Sequence, residues 1–95
     1  MRLALFSSRG AQITPNLVGI QHPRLEMLPT VLVCPLKEGE PVTNVRTSLE
    51  WEGKLYTVMC DLARPINRRT LRHLGDLDEE ASQRLLETFV RLLAL

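Results

Sequence analysis

The sequence predicts a small α+β domain, in which a curved antiparallel sheet or open barrel of about five or six strands is followed by one C-terminal helix. Three observations predict it. Short apolar or alternating segments run up to residue 60, a Glu52-Gly53 turn joins two of them, and apolar residues at helical spacing occupy the end of the chain. With 95 residues, the chain is expected to form one domain over residues 1–95.

Composition and charge exclude several classes of protein. Hydrophobic residues make up 44% and charged residues 24% of the chain, as in ordinary globular domains. The net charge of +1 argues against a uniformly basic nucleic-acid binder. No apolar run approaches the ~18 residues of a membrane span, so no membrane association is expected. Residues 1–6 are too short an apolar stretch for a signal peptide, which predicts a cytoplasmic location.

Three strands are predicted in the first part of the chain. Residues 2–6 can form a short strand that ends at a Ser-Ser-Arg-Gly turn, and residues 17–20 can form a second. Residues 30–36 form the strongest prediction, because this segment is β-branched and apolar on both faces. Such a pattern is typical of a central strand.

A hairpin follows over residues 45–60. Residues 45–51 alternate, so that one face of the strand carries Val45, Thr47, Leu49 and Trp51. Glu52-Gly53 supplies a two-residue turn whose glycine accepts a positive φ. Residues 54–60 then return as the partner strand.

The last part of the chain predicts one helix. Residues 67–74 are compatible with a basic loop, a helical turn or a short strand. Asp78 is a predicted N-cap, and Glu79 and Glu80 favour the positive end of the helix dipole. A broad apolar face follows at positions 81, 85, 86, 89, 90, 92 and 93.

The cysteines indicate a packed core rather than chemistry. Cys34 and Cys60 lie in apolar segments, outside any Cys-x-x-Cys pair, and neither His22 nor His73 stands at ligand spacing from them. We therefore expect two buried, unpaired thiols, no metal site and no cofactor.

Two candidate sites follow from residue patterns. After Asp61, the run to residue 73 contains no acid and four arginines, which are Arg64, Arg68, Arg69 and Arg72. Clustered arginines can hold phosphates, although a solvated face balanced by the acidic residues of the helix explains them equally. Asp61 and Arg64 are three residues apart, so they could act in catalysis or form a salt bridge within a turn.

The second candidate is the end of the helix. Its apolar run consists of Leu92, Leu93, Ala94 and Leu95. If part of this run stays uncovered, it marks an interface with another protein. The alternative is that the whole helix docks on its own sheet.

The order of these segments resembles the CcdB/MazF toxin superfamily of bacterial toxin–antitoxin modules over nearly the whole chain. Residues 18–21 lead through a loop ending at Pro29 to the apolar strand 31–36, which ends in Pro-Leu. Residues 49–59 are similar to the family's hairpin with a glycine turn, and Asp76-Leu77 precede the final helix. The resemblance implies a small barrel with a C-terminal helix, a homodimer and a cognate antitoxin.

The resemblance leaves the activity open between two branches. Cys60-Asp61-x-x-Arg64 resembles a step in the MazF and Kid-type toxins, which are mRNA endoribonucleases. That branch implies catalysis by Asp61 and Arg64, with Arg68, Arg69 and Arg72 binding single-stranded mRNA. However, Met59 stands where that branch has an arginine before Cys-Asp.

The CcdB-like branch is therefore favoured, in which the protein binds and inhibits DNA gyrase without turning over a substrate. Residues 92–95 are then the expected target-binding residues, although they replace the Trp-Gly-Ile ending of the best-known CcdB toxins. A third hypothesis is an interaction module that has lost both activities.

Overall fold

The computed structural model describes residues 2–8, 10, 13–21 and 27–94. Those residues form seven strands, two short 3-10 turns and one α-helix. The elements are β1 (Ala4–Ser7), β2 (Leu17–Gly19), β3 (Thr30–Lys37), β4 (Arg46–Trp51), β5 (Lys54–Met59), a first 3-10 turn (Cys60–Leu62), β6 (Arg64–Asn67), a second 3-10 turn (Arg68–Thr70), β7 (Arg72–Asp76) and α1 (Glu79–Leu93).

The strands form one curled antiparallel sheet, a half-barrel, with the helix following it. The sheet order is β4-β5-β3-β2-β1-β7, and β6 pairs with β3 beside this path. The predicted α+β fold class is therefore confirmed, as are the existence and type of each predicted strand. The undecided segment over residues 67–74 contains the end of β6, the second 3-10 turn and the start of β7.

The central strand β3 carries two partners along one edge. Its end pairs with β5, where Leu36 lies opposite Val58, and its beginning pairs with β6, where Val33 lies opposite Arg64. The register between these two pairings differs by three residues, which is the length of the first 3-10 turn. This turn therefore bends the chain so that β5 and β6 follow the same edge of β3.

The predicted hairpin is confirmed in its turn and its register. Leu49 lies opposite Tyr56, and Trp51 lies opposite Lys54. Glu52 and Gly53 both have positive φ angles, 52° and 78°, as a type I′ turn requires. Leu49 is buried and Trp51 half-buried, on the face that the alternation assigned to them.

The two ends of the sheet meet through a side chain. Strands β4 and β7 are the terminal strands of the sheet order, yet the Trp51 ring of β4 lies directly against Gly75 of β7. A Cβ atom added at Gly75 would lie 2.7 Å from Trp51 Cζ2, closer than carbon atoms pack. The absence of a side chain at Gly75 thus lets the half-barrel close around the ring.

The helix begins as the sequence predicted. The Asp78 carboxylate accepts a hydrogen bond from the backbone N–H of Ala81, at 2.7 Å. Further along, the buried Ser82 hydroxyl accepts a hydrogen bond from the backbone N–H of Leu3, at 2.9 Å. This bond joins the helix to the start of the chain, just before β1.

Most of the predicted apolar face packs against the sheet, but not all of it. Leu85 is buried, and Ala81, Leu86, Phe89 and Leu92 pack against the main core. Val90 and Leu93 are 62% and 72% exposed, so the prediction of a face that includes both was too broad. Both residues lie off the line through Leu85 and Leu92 that faces the sheet.

The core has two parts, one on each face of the sheet. The main core lies between the sheet and the helix and contains Leu5, Val18, Leu36, Val58 and Leu85, among others. A smaller cluster on the opposite face contains Phe6, Leu17, Val31 and Val33. Within the ranges that the structure covers, no helix combines the length and apolar character needed to cross a membrane.

Candidate functional site

The first 3-10 turn presents Asp61 at the surface, where its partner is Arg46. Arg46 Nε lies 2.9 Å from Asp61 Oδ1, and Arg46 Nη2 lies 2.9 Å from Asp61 Oδ2. The guanidinium therefore holds both carboxylate oxygens in a fork-to-fork pair, a geometry that favours the charged form of the acid.

This pairing changes what Asp61 can do chemically. The hydrogen bond from Arg46 lowers the pKa of the Asp61 carboxyl below its usual value. A general base that works near neutral pH needs a pKa close to that pH, so a further lowered carboxyl accepts protons poorly. Each carboxylate oxygen also accepts a hydrogen bond from Arg46, which leaves fewer lone pairs for a proton.

The structure does not pair Asp61 with Arg64. The salt bridge within a turn, one of the two sequence interpretations, is replaced by the bridge to Arg46, fifteen positions earlier in the chain. Arg64 begins β6 and is exposed. It lies at the other end of the 3-10 turn from Met59, opposite Val33 of β3.

Sequence reasoning missed Arg46, although its signal was present. The two-residue turn at Glu52-Gly53 fixes the hairpin register, and this register places Arg46 opposite Met59. Asp61 follows Met59 by two residues. An acid just beyond the end of the hairpin was therefore within reach of Arg46.

The other arginines of the basic run are divided among different surroundings. Arg68 is half-buried, and its Nε donates a hydrogen bond to the Leu28 carbonyl at 3.0 Å. Arg69 is exposed on the second 3-10 turn, and Arg72 is exposed at the start of β7. The run thus follows the chain from one edge of the sheet to the other rather than lying along one strand.

Arg68 contributes to a cavity of about 840 Å³ over the smaller core cluster. Its walls are partly apolar and partly charged, and they include Arg2, Phe6, Gln21, Val31, Arg68 and His73. The His73 ring meets Phe6 edge-on, with centroids 5.8 Å apart, and its Nε2 lies 2.8 Å from Asp76 Oδ1. Gln21 Oε1 is buried without a hydrogen-bond partner in the described part of the chain.

Arg72 contributes to a second cavity, of about 560 Å³, beside the junction of β4 and β7. This cavity brings Trp51 and Tyr56 together with Arg72 and Lys54. Tyr56 is buried in the main core, so the half-buried Trp51 ring is the surface on which a nucleobase could stack, with Arg72 and Lys54 near its phosphate and Glu52 on the same wall. The sequence pattern did not connect Trp51 to the basic run, because the two meet only across the ends of the sheet.

The end of the helix divides into packed and exposed residues. Leu92 packs against the main core, whereas Leu93 and Ala94 are exposed. Leu95, also predicted to bind the target, lies outside the described residues. Val90 precedes Leu93 by one helical turn and is exposed as well, so these two form an apolar stripe on the solvent side of α1.

The prediction of two buried, unpaired thiols is confirmed. Cys34 and Cys60 are buried, and both are free thiols. Across residues 2–8, 10, 13–21 and 27–94, no group of three or more His, Cys, Asp and Glu side chains is placed to hold a metal ion.

Comparison with family models and with curated proteins adds no relative. No family model matches the chain, and no curated protein matches its sequence. The fold and the geometry of the side chains therefore supply the grounds for a functional proposal.

Proposed function

We propose that this protein is the toxin of a type II toxin–antitoxin pair, of the CcdB-like kind, and that it acts by binding and inhibiting DNA gyrase. The half-barrel with a terminal helix is the architecture that the sequence resemblance implies. The observation that carries binding rather than cleavage is the capture of Asp61 by Arg46. With its carboxylate held in this pair, the Asp61–Arg64 step lacks an available base.

The apolar stripe of Val90 and Leu93 is the target-binding surface in this proposal. Exposed apolar side chains on the last turns of a helix favour association with another protein. The stripe stands on a helix that packs against the main core through Leu85, Phe89 and Leu92. Two long, exposed contacts add to this packing: Arg91 Nη1 lies 3.4 Å from the Asn44 carbonyl, and Arg84 Nη2 lies 3.5 Å from the Ser48 carbonyl.

An mRNA endoribonuclease is the second candidate, and one observation favours it. The second cavity places the half-buried Trp51 ring beside Arg72 and Lys54, a combination that a binding site for single-stranded RNA uses. Cleavage would then depend on Arg64, which is exposed and would stabilise the charge that develops on the scissile phosphate. An inactive interaction module is the outcome if neither activity is found.

A gyrase supercoiling assay tests the proposal. We expect the purified protein to inhibit supercoiling and the Leu93→Asp variant to require about tenfold more protein, because a charge would replace an apolar contact of the interface. Leu55→Asp is the matched control, since Leu55 is 65% exposed on β5, away from the helix, and should behave as wild type. Failure of the wild-type protein to inhibit gyrase contradicts the proposal.

The same preparations separate binding from cleavage. Wild-type protein should leave a mixed-sequence single-stranded RNA intact over hours. Removing residues 93–95 should lower toxicity on expression more than Arg64→Ala does. Site-specific RNA cuts that disappear in Arg64→Ala would reverse the ranking and support the endoribonuclease.

We also propose that the protein is a homodimer and that its antitoxin covers part of the same surface. A chain of 95 residues buries a modest share of its surface, and large apolar side chains stay exposed at Met27, Val42, Leu62, Val90 and Leu93. Light scattering at micromolar concentration is expected to give twice the chain mass of 10.8 kDa. A mass equal to that of one chain would contradict the dimer.

A further inference from the structure

Two buried thiols lie next to each other in the main core. Cys34 of β3 and Cys60 of the first 3-10 turn are 0% and 1% exposed and belong to the same core cluster. Leu36 of β3 lies opposite Val58 of β5. Cys34 precedes Leu36 by two residues and Cys60 follows Val58 by two residues, so both cysteines lie at the place where β3 contacts the first 3-10 turn.

We propose that Cys34 and Cys60 form a reversible intramolecular disulfide when the protein meets a peroxide. The bond would join the central strand to the first 3-10 turn, the segment that carries Asp61. It would close a loop containing the whole β4–β5 hairpin.

The turn gives a small oxidant a route to Cys60. Asp61 and Leu62 are exposed directly after Cys60, and the turn is closed by a backbone hydrogen bond from Ala63 N–H to the Cys60 carbonyl at 3.3 Å. The Arg46–Asp61 pair holds the turn from outside. Breaking that pair frees the exposed side of the turn, whereas its other side packs against β3, β4 and α1, so an oxidant reaches Cys60 through local opening of the turn.

The two thiols are not equivalent. Cys60 begins the turn and is followed by the exposed Asp61 and Leu62, whereas Cys34 lies within the central strand β3, so Cys60 is the sulfur that an oxidant reaches first. The neighbouring Cys60 thiol and burial also raise the pKa of Cys34, which disfavours its thiolate. Cys34 then acts as the resolving thiol.

The reaction balances with hydrogen peroxide as the oxidant. The Cys60 thiolate attacks one peroxide oxygen, the O–O bond breaks, and hydroxide leaves as water after gaining a proton, so Cys60 becomes a sulfenic acid. The Cys34 sulfur attacks the Cys60 sulfur, its proton goes to the departing oxygen, and a second water leaves. The thiols lose two protons and two electrons in total, and the peroxide is reduced to two waters.

Mass spectrometry of the native protein tests the proposal directly. After treatment with hydrogen peroxide, the protein is unfolded in urea and blocked with iodoacetamide; both cysteines are expected to carry no label, and the mass should fall by two hydrogen atoms once oxygen added at the exposed Met27 is subtracted. Non-reducing peptide mapping should join the peptides of Cys34 and Cys60, and a dithiol should restore both thiols. The oxidised protein should melt about 10 °C higher, because the bond restricts the unfolded chain.

Variants test the order of attack and the role of the turn. Cys34→Ala should stop at a sulfenic acid on Cys60 that a 1,3-dione traps, whereas Cys60→Ala should leave Cys34 unoxidised. Arg46→Gln should speed disulfide formation about threefold by freeing the turn. Lys54→Gln is the matched control, because it removes an exposed ion pair with Glu38, at 3.8 Å, elsewhere on the surface.

Three results would overturn the proposal. In the first, both wild-type thiols remain free for iodoacetamide under conditions that oxidise the urea-unfolded chain. In the second, only disulfides between chains form, and in the third, each cysteine gains oxygen independently. The wild-type measurement decides the proposal even if a cysteine variant fails to fold.

Discussion

Replacing Gly75 by valine is expected to lower the free energy of unfolding by about 3 kcal/mol, because the new side chain enters the space of the Trp51 ring. The sign of this change in the free energy of unfolding distinguishes the effect of the Trp51 ring from the ordinary effect of a glycine in a strand. A glycine within a strand ordinarily weakens the strand, so a β-branched residue at such a position should stabilise it. Gly75 also lies outside the positive-φ region that favours glycine, so the backbone itself tolerates a side chain.

The measurement uses the chain's single tryptophan. Urea unfolding should show the lost stability, and the fluorescence of native Gly75→Val should shift towards the red as Trp51 moves into water. In a Trp51→Leu background the cost of Gly75→Val should fall to less than about 1 kcal/mol, because the obstructing ring is gone. An equal cost in both backgrounds would show that something other than the ring opposes the side chain.

The sheet edges explain why this contact matters more than a surface packing contact. Strands β4 and β7 are the two ends of the sheet order, and no backbone hydrogen bonds between them close the half-barrel. The ring of Trp51 over Gly75 covers this gap and also forms a wall of the second cavity. Displacing the ring would therefore change both stability and the surface considered for RNA.

Sequence pattern predicted the features that depend on neighbouring residues. The alternation over residues 45–51 and the Glu52-Gly53 turn gave the hairpin with its register, because both signals act over a few positions. The cap at Asp78 is similarly local, since its carboxylate reaches a backbone N–H three residues on. Such features need no knowledge of how the rest of the chain folds.

The features that sequence could not predict depend on contacts between distant segments. Trp51 meets Gly75 only after the sheet curls, and Cys34 and Cys60 enter the same core cluster only because β5 follows the edge of β3. The exposed side of the helix was misjudged for the same reason. Periodicity gives the direction of an apolar face, but the width that is buried depends on the sheet beneath it.

The same distinction between local and long-range features applies to the candidate site. The sequence identified Asp61 and the arginines as residues of interest, yet it could not decide their partners. The pair with Arg46 needs the hairpin and the 3-10 turn to be in place together. In that pair the Asp61 carboxylate makes a structural contact with Arg46. This contact favours a binding function over catalysis.

The second large effect on stability is expected from loss of the hydrogen bond between the Ser82 hydroxyl and the Leu3 N–H. Ser82→Ala is expected to lower the free energy of unfolding by about 2 kcal/mol, because the backbone N–H of Leu3 would remain buried without an acceptor. Both residues are 1% exposed or less, so water cannot replace the lost hydroxyl without opening the interface between the helix and the sheet.

Thr88→Val is the matched control for this prediction. Thr88 is also buried on α1, but its hydroxyl donates to the Arg84 carbonyl of the same helix, at 3.0 Å, and satisfies no backbone N–H. Its replacement should change stability by less than about 0.5 kcal/mol. Urea unfolding gives both values, and hydrogen exchange at the Leu3 amide should become faster in Ser82→Ala alone. Equal costs for the two variants would mean that the loss reflects packing of the helix rather than the orphaned N–H of Leu3.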